Sequence, residues 1–129
     1  MIVMDASAAL ELLAETPSGA QVAARIGREA VLHAPHLLDI EVVSGLRRHA
    51  TLRVMTQERA QLALAAFHHL PIRRYPHLPL LDRVWQFRHN LSAYDACYVA
   101  LTEALDATLI TCDEALQSAR MRRGGVEVI

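Results

Sequence analysis

The stretch Met1-Ile-Val-Met-Asp5-Ala-Ser7 decides the fold. Four apolar residues stop at a carboxylate, and Ala8, Leu10, Leu12 and Leu13 follow at helical spacing with Ser7 placed to cap them, so a short buried strand feeds a helix. The same pattern returns near the other end. Ala107-Thr-Leu-Ile-Thr111 is apolar and β-branched, Cys112 or Asp113 opens a short helix, Gly124 and Gly125 turn the chain, and Val126 to Ile129 reads as a last strand.

Between these ends, strands and helices alternate. Pro17, Ser18 and Gly19 read as a break after the first helix, and a second helical stretch runs to about Arg28. Ala30 to Ala34 reads as a strand that ends before Pro35. Helical spacing then covers His36 to about Leu52 and Thr56 to Leu70, with a weak strand from Pro71 to Tyr75. Leu78 to His89 is helical around Trp85, and Ser92 with Asp95 has the spacing of a capping box opening a helix to about Leu105. Strands separated by helices run parallel with right-handed crossovers, giving a three-layer α/β/α sandwich. Ligands in such folds sit beyond the carboxyl ends of the strands, where strand order reverses, so a central first strand brings Asp5 to that edge.

The chain has 129 residues, 53% of them hydrophobic, and a formal net charge of −1, which fits one domain spanning 1–129 with a core large enough to need no disulfide or structural metal. The longest wholly apolar stretch, Leu62 to Phe67, is too short to span a bilayer, and the first basic residue is Arg25, so neither a membrane segment nor a secretion signal is expected and a cytoplasmic location is. Cys97 and Cys112 read as core residues. All 13 basic residues are arginine, which removes any chemistry that requires a lysine amine. No phosphate-binding G-x-x-x-x-G-K-[ST] loop or G-x-G-x-x-G turn is present, so no nucleotide cofactor is expected.

Of the 14 acidic residues, four stand where a solvated carboxylate does not belong. Asp5 and Asp113 follow apolar strands. Glu41 has Leu37 and Leu38 one turn before it and Gly45 one turn after, and Asp95 lies between Leu91 and Val99, so both project from helix faces that turn toward the core. Others, Glu103 and Asp106 among them, read as solvated, with Asp39, Asp82 and Glu114 as spares near the four. Four carboxylates raise each other's pKa values unless a cation intervenes, and without a histidine or cysteine partner the set suits Mg²⁺, with Mn²⁺ as a substitute, rather than zinc or iron. The seven histidines show no metal-binding spacing on a shared helix face and read as solvated or capping. Tyr94, Tyr98 and Trp85 read as core.

With these residues in view, the chain resembles the PIN-domain ribonucleases, most closely the toxins of VapBC toxin–antitoxin pairs. The resemblance rests on 1–7, on Pro-His-Leu-Leu-Asp-Ile-Glu-Val at 35–42 with Leu46-Arg47-Arg48, on Leu-Ser-Ala-Tyr-Asp-Ala-Cys-Tyr-Val-Ala-Leu at 91–101, and on 107–113. It implies Asp5, Glu41, Asp95 and Asp113 as the catalytic, metal-holding cluster, Thr111 as the hydroxyl beside the last acid, and Ser7 as an orienting neighbour. It also implies a five-stranded, mainly parallel sheet of order 3-2-1-4-5, an RNA substrate, inhibition by a cognate antitoxin, and a homodimer. The apolar surplus of Ala8–Ala14, Leu37–Leu46 and Leu62–Phe67 fits a covering partner. The rival reading is a non-catalytic module whose acidic pocket grips a partner's arginines; metal-dependent cleavage lost on Asp5→Asn separates the two.

Overall fold

A computed structural model describes every residue of the chain except Arg28 and Ala30, so the expected helix end at Arg28 and strand start at Ala30 fall outside the described residues. The elements run β1 (Ile2–Met4), α1 (Ala6–Leu13), α2 (Pro17–Ile26), β2 (Leu32–Pro35), α3 (Leu37–Thr51), α4 (Gln57–His68), β3 (Ile72–Tyr75), α5 (Leu81–Gln86), α6 (Ala93–Leu105), β4 (Thr108–Thr111) and β5 (Gly125–Val128). Short 3₁₀ turns at Leu78–Leu80 and Glu114–Ser118 precede α5 and follow β4. The five strands form one parallel sheet in the order β3-β2-β1-β4-β5, as expected.

The handedness of parallel crossovers fixes the layers. Travel from β1 through β2 to β3 goes one way along the sheet and travel from β3 to β4 and β5 goes the other, so α1 to α4 share one face and α5 with α6 take the opposite one. Strand order reverses between β1 and β4, which is where a crevice opens at the carboxyl ends of the strands. Ile2 pairs with Thr108, Val3 with Leu109 and Met4 with Ile110, and the Asp5 amide donates to the Ile110 carbonyl, so the register carries Asp5 beside Thr111. All three residues of β1 are buried, as a strand covered on both faces requires.

Three local expectations change. The break after α1 is Glu15, in the left-handed region at φ 55°, whereas Pro17, Ser18 and Gly19 form the first turn of α2. Thr16 caps that turn by accepting the Gly19 amide at 3.0 Å, and Pro17 at the first helical position loses no hydrogen bond. Helix α5 stops at Gln86, short of the expected His89, and Trp85 is exposed, as is Tyr94, whereas Tyr98 is buried as expected. Helix α6 is buried from Ala96 through Glu103, and that burial takes Glu103 out of solvent. Glu103 is paired rather than solvated: Arg83 donates to it at 2.7 and 3.3 Å and the Arg122 amide at 2.9 Å. Burial by itself lifts this carboxyl, but those bonds and the two guanidinium charges outweigh it and hold the group below its ordinary range.

The apolar surplus also divides. Helix α1 is covered by α2, α3 and α4 of the same chain, so it needs no partner, whereas Ile40, Val43 and Leu62 on α3 and α4 stay exposed. No helix among the described residues is long and apolar enough to cross a membrane.

Candidate active site

Asp5 is the anchor of the site. It caps α1, so Ser7 does not: the Ala8 amide donates to Asp5 Oδ1 at 2.9 Å, and a strand-to-helix junction with no residue between strand and cap leaves the carboxylate nowhere to swing. Two hydroxyls complete its shell. Ser7 Oγ donates to Oδ1 at 2.8 Å and Thr111 Oγ1 donates to Oδ2 at 2.6 Å. Each hydroxyl is itself aimed by the chain leaving β4, Ser7 by the Cys112 amide at 2.8 Å and Thr111 by the Asp113 amide at 3.0 Å. The two supporting residues expected from the sequence therefore lie where they orient the first acid. Burial lifts the Asp5 carboxyl above its usual range; the Ala8 amide and the Thr111 and Ser7 hydroxyls oppose that, and the charge of Asp113 adds to it.

The other three acids come from three separate elements. Asp113 is exposed and caps the 3₁₀ turn after β4, accepting the Ala115 amide at 2.9 Å. Asp95 sits in the first turn of α6, where Ser92 Oγ accepts its backbone amide at 3.1 Å. The reciprocal half of a capping box is absent among the described hydrogen bonds, so the Asp95 carboxylate is not consumed by its helix. Glu41 projects from the second turn of α3 and accepts the Tyr98 hydroxyl at 2.9 Å. Burial raises the Glu41 carboxyl, the Tyr98 bond lowers it, and the charges of Asp5 and Asp95 raise it further. The charges of Asp5 and Asp95 thus bear on Glu41, and that of Asp113 on Asp5, at the carboxyl edge of the sheet.

Tyr98 is the functional partner that sequence reading misses. It lies one helical turn beyond Asp95 and reads as core; its ring is indeed buried, but its hydroxyl is spent on an acid of the site. The phenol is pushed far above its ordinary range by burial and by Glu41, so it remains a donor. If the acids hold a divalent cation, Tyr98→Phe should therefore weaken its binding about tenfold while leaving the fold intact. Mn²⁺ binding measured by electron paramagnetic resonance checks it; an unchanged metal affinity sinks it.

Both cysteines flank the acids, contrary to the expectation that none accompanies them. Burial and the Glu41 charge push the Cys97 thiol up to about 11, and burial with the charges of Asp5 and Glu11 does the same for Cys112, also to about 11. At neutral pH both stay protonated and compete poorly for a metal. Among the spares, Asp39 is taken by Arg74 at 2.8 Å and lies outside the group, and neither Asp82 nor Glu114 enters the charges felt by Asp5 or Glu41. His77 does what a capping histidine should, accepting the Leu37 amide at 3.0 Å at the start of α3.

The residues present fit a hard divalent cation in chemistry. The donors are all carboxylate oxygens, and two of them carry a burial cost that a cation would offset. Among the described residues no three His, Cys, Asp or Glu side chains close on a single point, so water and substrate oxygens would complete the shell, as Mg²⁺ prefers.

A parallel sheet of this order with acids at its switch point defines a class, and the comparisons name it: the PIN-domain family model matches residues 2–120, and the chain belongs to that family, as a VapC-like member of it. Ribonuclease VapC12 of Mycobacterium tuberculosis is 39% identical over 129 residues, covering 100% of this chain and 99% of the relative. Ribonuclease VapC1 of the same organism is 44% identical over 118 residues, covering 91% and 89%. The crystal structure of PAE2754 from Pyrobaculum aerophilum superposes with a TM-score of 0.71 at 24% identity, covering 98% of this chain and 83% of that one, and shares the fold.

Proposed function

We propose that the acidic edge is a divalent-metal site that cleaves RNA, and that a cognate antitoxin silences it. The chain is a ribonuclease of the VapC kind, and the observation that carries the finer reading is the placement at the strand-order reversal of Asp5, fixed by Ser7, Thr111 and the Ala8 amide, with Glu41, held by Tyr98. Asp5, Glu41, Asp95 and Asp113 would hold Mg²⁺, or Mn²⁺ in its place. When bound, the ion supplies Lewis-acid stabilisation of the phosphodiester and a water of lowered pKa.

The protein residues do the positioning. Ser7, Thr111 and the Ala8 amide fix both oxygens of Asp5 and leave one lone-pair site, on Oδ2, open before substrate arrives. Tyr98 holds Glu41 from the opposite side of the crevice and stays protonated as a donor. Asp95 and Asp113 enter from the first turn of α6 and the exit of β4, Asp95 held by its backbone amide, which Ser92 Oγ accepts, and Asp113 by its Oδ1, which accepts the Ala115 amide. No side-chain nucleophile is required, and the protonated thiols of Cys97 and Cys112 offer none.

The antitoxin reading rests on charge and on surface. An arginine from a partner segment neutralises the acids in place of a cation, and the exposed Ile40, Val43 and Leu62 on α3 and α4 offer a segment an apolar seat nearby. The exposed Leu78, Leu81, Trp85 and Tyr94 fit a second copy of the chain. One set of measurements tests all three parts: cleavage of single-stranded RNA with Mg²⁺, Mn²⁺ or EDTA, repeated with the product of the adjacent small gene, beside light scattering of each mixture. Cleavage that survives excess EDTA removes the metal; a monomer that neither binds nor is inhibited removes both partners.

A further inference from the structure

A concavity lined by none of the four acids has the opposite character. It is a cleft of about 830 Å³ between the end of α5 and the 3₁₀ turn after β4. Six of its nine lining residues, Arg83, Gln86, His89, Asn90, Ser118 and Arg120, are polar or basic, and no acid lines it. Its floor is rigid. Arg83 is clamped by the buried Glu103 at 2.7 Å, donates to Gln86 Oε1 at 2.8 Å, and lies over the Phe87 ring at 4.1 Å from the centroid. Glu103 also takes the Arg122 amide, which ties the segment carrying Arg120 to α6. Arg83 is therefore neutralised in place, whereas Arg120 is exposed and, among the described residues, forms no ion pair.

The walls of the cleft lead to the acids. Leu91 immediately precedes Ser92, the cap of the helix turn that carries Asp95, and Ser118 ends the 3₁₀ turn that Asp113 caps, about 10 Å further on at the usual rise of such a turn. A fixed polar floor, one uncompensated guanidinium and neutral hydrogen-bond donors match the phosphate backbone of a single strand. An apolar partner segment would find few apolar contacts there.

We propose that this cleft holds the backbone phosphates of single-stranded RNA running past the acids, with Arg120 as the charged contact. The proposal rests on the ribonuclease reading and extends it to how substrate is held. It predicts a specific loss of RNA affinity when Arg120 is replaced. The test is fluorescence anisotropy of a labelled single-stranded RNA with the full chain in EDTA, the oligonucleotide being checked intact afterwards, over a series of salt concentrations. Arg120→Ala should weaken binding about five- to tenfold near 0.1 M salt and reduce the salt slope by about 0.7, the share of one phosphate contact on a single strand. Arg120→Glu should weaken it further. Arg53→Ala, the loss of an equal charge at the far end of α3, should do neither.

An Arg120→Ala protein with parental affinity and salt slope overturns the proposal while leaving the ribonuclease reading in place. Parental RNA affinity together with weakened antitoxin binding also overturns it, assigning the cleft to a protein partner. Equal losses for Arg120→Ala and Arg53→Ala overturn it as a site, reducing the effect to overall charge. Failure of the unsubstituted chain to bind RNA at all overturns both readings.

Discussion

Asp5→Asn is expected to cut RNA cleavage by about a thousandfold while leaving metal-free stability equal to or above that of the parent. The catalytic half follows from geometry, since Asp5 is, of the four candidate acids, the one with both oxygens fixed by protein donors among the described residues, and an amide offers a metal no charge. The stability half follows from sign. Burial raises the Asp5 pKa in the folded state, so the folded chain holds that proton more tightly than the unfolded one does. Stability without metal therefore falls as pH rises from the unfolded to the folded pKa and stays low above it. Glu41, raised for the same first reason, adds to the effect. The gain of Asp5→Asn in EDTA should be present at neutral pH and fade as the pH drops through the carboxylate range. Thermal melts of both proteins across that range, beside the cleavage assay, decide it. A melting temperature for Asp5→Asn well below the parent at neutral pH would make Asp5 a structural cap first. Asp95→Ala and Asp113→Ala should lose cleavage likewise.

The largest effect on folding is expected at a residue far from the chemistry. Gly19 sits in the first turn of α2, where a Cβ would lie 2.0 Å from the Glu11 carbonyl oxygen and 2.6 Å from its carbon. Both obstacles are main chain of α1, so no side-chain rotation relieves the clash; the two helices must part. Gly19→Ala should cost about 3 kcal/mol and lower the melting temperature by about 10 °C. Because Asp5 caps α1, parting that helix from α2 should also weaken cleavage at temperatures below the melt. Urea unfolding monitored by circular dichroism measures the first effect. A midpoint within experimental error of the parent would mean that α1 and α2 do not approach this closely.

Gly45 contrasts with this. Its Cβ would meet the end of the Leu10 side chain at 2.3 Å, and a side-chain end has room to move that a carbonyl does not. Substitution there should be the milder of the two.

Sequence alone determined the layer architecture, because strands covered on both faces must be nearly all apolar and parallel crossovers have one hand. It also marked the four acids, since a carboxylate at the end of an apolar strand or in an inward helical stripe is costly enough to stand out against any reasonable pattern. What it left undecided were relations between residues distant along the chain. The cap of α1 passed from Ser7 to Asp5 because the helix starts at Ala6, and the Cys112 amide, 105 residues away, takes the Ser7 hydroxyl instead. Glu103 moved from solvent to core because α6 is covered on all sides, which no single-helix periodicity reveals. Tyr98 acquired its acid, and Arg120 lost any, only once α3, α5, α6 and the segment after β4 were packed together. Local pattern reports how a residue faces its own element. Which charge meets which donor is settled by packing, where the cost of an unpaired buried group selects among partners that the linear sequence leaves equivalent.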